Sequence, residues 1–102
     1  MKLEYISQVK LQRLIKEVFE KYLPKANYRL FFFGSRVKGD SFPRSDIDLG
    51  IEGPKELSAE LKLKIEEELQ NLPILYKIDL VDFKKVSGDF RKVALQNAEF
   101  IN

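Results

Sequence analysis

Apolar residues along the chain fall into two rhythms. From Ser7 to Leu23 the positions Leu11, Leu14, Ile15, Val18, Phe19 and Tyr22 recur at helical spacing until Pro24, which predicts an amphipathic helix. Ser58 to Leu72 repeats the pattern with Leu61, Ile65, Leu69 and Leu72, again closed by a proline, Pro73. A third stripe, Phe90, Val93, Ala94 and Asn97, predicts a closing helix from Asp89 to about Ala98. Between the helices lie short strand-like runs. Tyr28 to Phe33 is apolar on both parities, as a central strand covered on two faces would be, and ends at Gly34. Ile74 to Val81 alternates, with Tyr76, Ile78 and Leu80 on one face and Lys77, Asp79 and Val81 on the other. Ser35 to Lys38 fits one helical turn with Ser35 as its cap and Gly39 as its terminator, and Asp40 to Ser45, with Pro43, reads as a loop. The predicted order of helix, strand, short helix, strand, helix, strand, helix describes one α/β domain with a small sheet, covering residues 1–102.

One strand breaks the rules of its type. Asp46 to Ile51 alternates Asp, Ile, Asp, Leu, Gly, Ile, so that one face is apolar and the other carries two carboxylates. Aspartate is a poor strand former, and a buried carboxylate is costly without a partner. At a rise of about 3.3 Å per residue the two Cα atoms lie roughly 6.6 Å apart on one face, close enough for each charge to raise the other's pKa. A divalent cation between them removes that repulsion.

Composition narrows the chemistry. The chain has 102 residues, no cysteine and no histidine, which excludes disulfides, thiolate or imidazole zinc sites, and Ser-His-Asp or Cys-His catalysis. Carboxylates, Lys, Arg, Tyr, hydroxyls and a hard cation held by oxygen remain, and for oxygen ligands alone the natural ion is Mg²⁺. The net charge of +2 is too small to predict direct nucleic-acid binding. Residues 1–50 carry ten basic and six acidic groups against eight and ten in residues 51–102, which fits a local anion site near the middle of the chain. With neither a spanning apolar run nor a signal-peptide core at the N-terminus, the expectation is a cytoplasmic protein without membrane contact.

Phosphate would need its own cradle. Gly34-Ser35 offers close backbone approach, a hydroxyl and the free N–H groups of a helix start, and Arg36, Lys38 and Arg44 stand around it as candidate neutralising charges. If the second and third strands are neighbours, Asp79 joins Asp46 and Asp48 as a further metal ligand or as a base for an acceptor hydroxyl. Two alternatives stand beside that reading: Asp79 pairs with Lys77, or Asp82 is the relevant acid.

Gly34-Ser35, ten residues, then Asp46-Ile47-Asp48 resembles the signature of the polymerase-β-type nucleotidyltransferase superfamily. "GSRVKG…SDIDLGI" is similar in particular to the minimal nucleotidyltransferases (MNT), and "KIDLVDF" resembles the later strand that carries the family's third carboxylate, here Asp79. Val37 and Lys38 stand where many members have Ala and Arg. The resemblance implies a small mixed sheet flanked by helices. In it Asp46, Asp48 and Asp79 serve Mg²⁺ and catalysis, Gly34 and Ser35 contact the phosphates of ATP, and AMP passes to a hydroxyl. It further implies a HEPN-type toxin as partner, a tyrosine of that partner as acceptor, and an antitoxin role in a homo- or hetero-oligomer. No acceptor-positioning helical domain is seen after the core, so the acceptor platform is expected from another chain. A catalytically weak nucleotide-binding module that silences its partner by complex formation is the competing expectation, and transfer to a small molecule such as an aminoglycoside is a third.

Overall fold

The computed structural model describes every residue except Lys2, Lys25, Ala26 and residues 40–45, and at Ser35 and Lys38 it describes the backbone alone. Helix α1 (Gln8–Tyr22) is followed by β1 (Arg29–Phe33), the single turn α2 (Ser35–Lys38), β2 (Ile47–Glu52), α3 (Ala59–Gln70), β3 (Ile78–Asp82), α4 (Gly88–Leu95) and the two-residue β4 (Glu99–Phe100). Each longer helix starts on a serine whose hydroxyl accepts a backbone N–H three residues on: Ser7 from Lys10 at 3.2 Å, Ser58 from Leu61 at 3.1 Å and Ser87 from Phe90 at 3.1 Å.

The sheet runs β3-β2-β1-β4. β1 is antiparallel to both β2 and β4, and β2 is parallel to β3 across the α3 connection, so the sheet is mixed as expected. Alternation divides it into two unlike faces. On the first, Leu30 and Phe32 of β1, Ile47, Leu49 and Ile51 of β2, and Ile78 and Leu80 of β3 are buried against Leu11, Ile15, Val18 and Phe19 of α1 and Ile65 and Leu69 of α3. On the second, Phe31, Phe33 and Phe83 form a smaller aromatic core under Ala94 and Leu95 at the end of α4. The Phe31 and Phe83 rings meet edge to face at 4.7 Å, and Phe33 and Phe83 at 5.1 Å. Gly50 makes room for this core: a Cβ there would lie 2.6 Å from Phe31 Cζ and 2.8 Å from Phe83 Cε1.

Two elements differ from expectation. The third strand begins at Ile78 rather than Ile74. Pro73 lies just ahead, the Ile74 N–H is turned back to Leu72 O at 2.8 Å, and pairing starts where Ile47 N–H donates to Lys77 O at 2.9 Å. Tyr76 still joins the buried face, and its hydroxyl accepts the N–H groups of Glu4 and Tyr5 at 2.9 and 3.2 Å. The closing helix stops at Leu95 rather than near Ala98, and the chain then pairs Glu99 and Phe100 with β1. The predicted loop 40–45 lies outside the described residues.

Candidate active site

The site forms where β1 ends and β2 begins. Gly34 leaves β1 with φ +84°, a conformation that costs glycine nothing and other residues much, and so turns the chain into α2. A side chain there would also collide with the Asp48 carboxylate, whose Cγ lies 3.0 Å from the position of a Cβ. Gly34 is therefore required twice, once for the turn and once for space.

The register then assembles the acids. Phe33 pairs with Asp48 across β1 and β2, and Asp48 pairs with Asp79 across β2 and β3, so both carboxylates leave the sheet side by side on the face that carries Phe31 and Phe33. Neighbouring strands are only about 4.8 Å apart. Asp46 is exposed just before β2. Burial pushes the Asp48 carboxyl above its ordinary value, and the negative charges of Asp79 and Asp46 push it in the same direction. Asp79 also faces Lys77 Nζ at 3.6 Å across a solvent-exposed gap. Among the described residues no three acidic side chains converge as a finished metal site. The donor set nevertheless suits a hard cation: oxygen ligands only, with a half-buried carboxylate crowded by two like charges.

Asp82 has a different task. It is buried on the other face and accepts the backbone N–H groups of Leu57 at 2.8 Å and Lys84 at 3.0 Å, which ties down two loops. Arg36 is 3 % exposed, with its guanidinium carbon 4.5 Å from the Tyr76 ring centroid, a stack that holds α2 against the segment before β3. The side chains of Ser35 and Lys38 are not described, and Arg44 lies outside the described residues.

Beside Asp48 and Gly34 opens a cleft of about 370 Å³, floored by Phe33 and Val81 and walled by Phe90, Val93 and Ala94 of α4 and by Asn97 just beyond its end. The same stripe predicts the closing helix from the sequence, but an apolar helix face looks alike whether it meets a core or a cleft, so periodicity leaves its use open. A larger groove of about 470 Å³ lies at the far end of β2, between Ile51, Leu57 and Leu61. Of the candidate acids it is lined only by Asp82, whose carboxylate is taken up by the backbone N–H groups of Leu57 and Lys84, so chemistry rather than volume locates the site.

A mixed sheet that presents adjacent carboxylates beside a glycine turn and an open cleft defines a nucleotidyl-transfer domain. The chain belongs to the polymerase beta nucleotidyltransferase family, whose model matches residues 13–102. Members of this family generally use a divalent metal and ATP. The chain is 30% identical over 80 residues to the Haemophilus influenzae protein named "Probable protein adenylyltransferase MntA", covering 78% of this chain and 68% of that one. Its fold matches a chain of a toxin-antitoxin complex solved with AMP-PNP, with TM-score 0.73 and 20% identity over 89% of this chain and 72% of the other. It also matches, with TM-score 0.70 and 18% identity, a chain of the Shewanella oneidensis complex of tri-AMPylated HEPN toxin with MNT antitoxin, over 94% of this chain and 72% of the other. Among the described residues no helix is long and apolar enough to cross a membrane.

Proposed function

We propose that this protein transfers AMP from ATP to a hydroxyl of a protein partner, with a tyrosine of a HEPN-type toxin as acceptor, and acts in the cytoplasm as the antitoxin of that pair. The observation that carries the reading is the placement of Asp48, wedged against Gly34 on one side and level with Asp79 on the other. The relative named a protein adenylyltransferase and the solved complex with AMPylated toxin support the choice of acceptor.

In this reading Gly34 and Ser35 receive the phosphates, with Lys38 and Arg44 as candidate counter-charges, while Arg36 acts from behind by fixing α2 on Tyr76. Asp46, Asp48 and Asp79 would hold Mg²⁺, which when bound offsets charge on the attacking and leaving oxygens. The acceptor oxygen bonds to the α-phosphorus as the bond to pyrophosphate breaks, and Asp79 takes the hydroxyl proton or completes the cation site. A second reading, silencing by complex formation without turnover, is favoured by one observation: among the described residues the acids do not converge on a single point.

Intact-mass spectrometry of the partner after incubation with ATP and Mg²⁺ separates the two. The expected result is a gain of one or more AMP units that is lost in the Asp46→Asn, Asp48→Asn double variant. An unmodified partner that the double variant still neutralises would establish the binding module instead.

A further inference from the structure

The end of β2 remote from the crowded carboxylates carries the reverse balance of charge. A pocket of about 430 Å³ opens there, bounded by Arg29, Glu52, Lys84 and Arg91, with Asn27 and Pro54 also on its wall. Its volume falls within the roughly 300–1,000 Å³ of small-molecule sites. It lies about 13 Å from Asp48, four residues along the strand at about 3.3 Å each, and holds none of the groups assigned to nucleotidyl transfer.

Each cation is fixed from behind. Arg29 stands directly across from Glu52 in the β1–β2 register, and its guanidinium carbon sits 4.4 Å from the Phe100 ring centroid. Lys84 follows β3 in a turn that its own backbone N–H fixes, by donating to the buried Asp82 at 3.0 Å. Arg91 projects from α4 and donates twice to Glu52. Three cations thus surround one carboxylate, the only acid on the wall. Glu52 feels all three: the hydrogen bond from Arg91 first, then the charges of Arg91, Lys84 and Arg29, hold its carboxyl below the ordinary value. Once Glu52 is paired with Arg91, Arg29 and Lys84 remain, both exposed and neither in an ion pair among the described residues.

Two surplus positive charges in one concavity match a dianion centred on one atom. Phosphate, free or as the head of a small phosphomonoester, carries about −1.5 to −2 charges at neutral pH, whereas a single carboxylate would leave one cation unanswered. The planar fork of Arg29 also suits the oxygens of a phosphate. We propose that this pocket is an anion site separate from the nucleotidyl-transfer centre, and that it binds a phosphate dianion between Arg29 and Lys84.

Amide NMR of the full chain, titrated without Mg²⁺ with inorganic phosphate and, separately, with ribose 5-phosphate, tests it. Shifts are expected at Asn27, Arg29, Glu52, Lys84 and Arg91. Tighter binding of ribose 5-phosphate supports the proposal with a phosphomonoester as ligand, and equal binding supports it with free phosphate. Lys84→Gln keeps the N–H that fixes the turn and is expected to weaken binding about three- to tenfold. Glu52→Gln is expected to tighten binding even as it destabilises the fold, a sign that a purely structural residue would not give. Affinity should fall as NaCl rises from about 0.01 M to about 0.1 M, over which the Debye length shortens from about 30 Å to about 10 Å. Shifts confined to Gly34, Ser35 and Asp46–Asp48, affinity unchanged in both variants, or binding of neither probe overturns the proposal. A glutamate-rich peptide that binds these residues in preference to both probes also overturns it, and gives the patch to an acidic protein surface. Nucleotidyl transfer uses none of these side chains, so its own test stands or falls separately.

Discussion

Asp48 and Glu52 lie on the same face of the same strand, yet their surroundings are opposite. Glu52 receives Arg91 through two hydrogen bonds, Nε at 2.6 Å and Nη2 at 2.9 Å, and Arg91 together with Lys84 and Arg29 holds its carboxyl below the ordinary value. Asp48 is pushed the other way by burial, Asp79 and Asp46. Between them Gly50 lets the aromatic core close against the strand. One end of β2 is thus satisfied within the fold, and the other is left buried and crowded by like charges. That imbalance is the kind of perturbation that functional sites concentrate, and it supports placing the proposed site at the Asp48 end of the strand.

The largest effect should come from the unbalanced end. Asp48→Asn is expected to reduce nucleotide transfer by more than about a hundredfold, because even residues behind a metal ligand commonly cost 10–100-fold. The same change should raise the melting temperature at neutral pH in the absence of nucleotide, since it removes one of three crowded like charges. A variant that is both inactive and less stable would contradict the comparison.

Gly50→Ala comes next. Its methyl group would overlap the Phe31 and Phe83 rings, and overpacking of that kind costs about 1–3 kcal/mol. Chemical denaturation should show the loss as a lower midpoint at unchanged slope.

Glu52→Gln is the smallest change, a lowering of the melting temperature by a few degrees at pH 7. Its pH dependence has a definite sign. Because the folded carboxyl lies below its unfolded value, its stabilisation is present above the ordinary carboxylate range and is lost as pH falls through the lowered folded value. Melting curves of wild type and Glu52→Gln should therefore converge in acid. A gap that persists there would show that the residue acts through packing instead.

The parts of this arrangement that depend on neighbours in sequence could be read in advance. The Gly-Ser turn, the spacing to Asp46 and Asp48, and the strand parity that aims Asp79 are local patterns, and the serine caps of α1 and α3 bounded their helices closely. What depended on distant partners was not legible. Arg36 stands in the sequence as a candidate neutralising charge beside Gly34-Ser35, and its stack on Tyr76 depends on a residue 40 positions away; nothing local pairs Glu52 with Arg91 before α4 delivers it. β4 is two residues long, too short for alternation to register, and exists because β1 offers it an edge. The stripe on α4 was visible, but its use as a cleft wall follows only from where the helix lands on the sheet.

The most direct test of the division along β2 is the melting temperature of wild type, Asp48→Asn and Glu52→Gln with and without saturating Mg²⁺ and ATP. A ligand at about 100 times its dissociation constant stabilises by roughly 2.7 kcal/mol. A clear rise is predicted for wild type and Glu52→Gln, and none for Asp48→Asn. An equal rise in all three would show that the carboxylate end of the strand is not where nucleotide and cation bind.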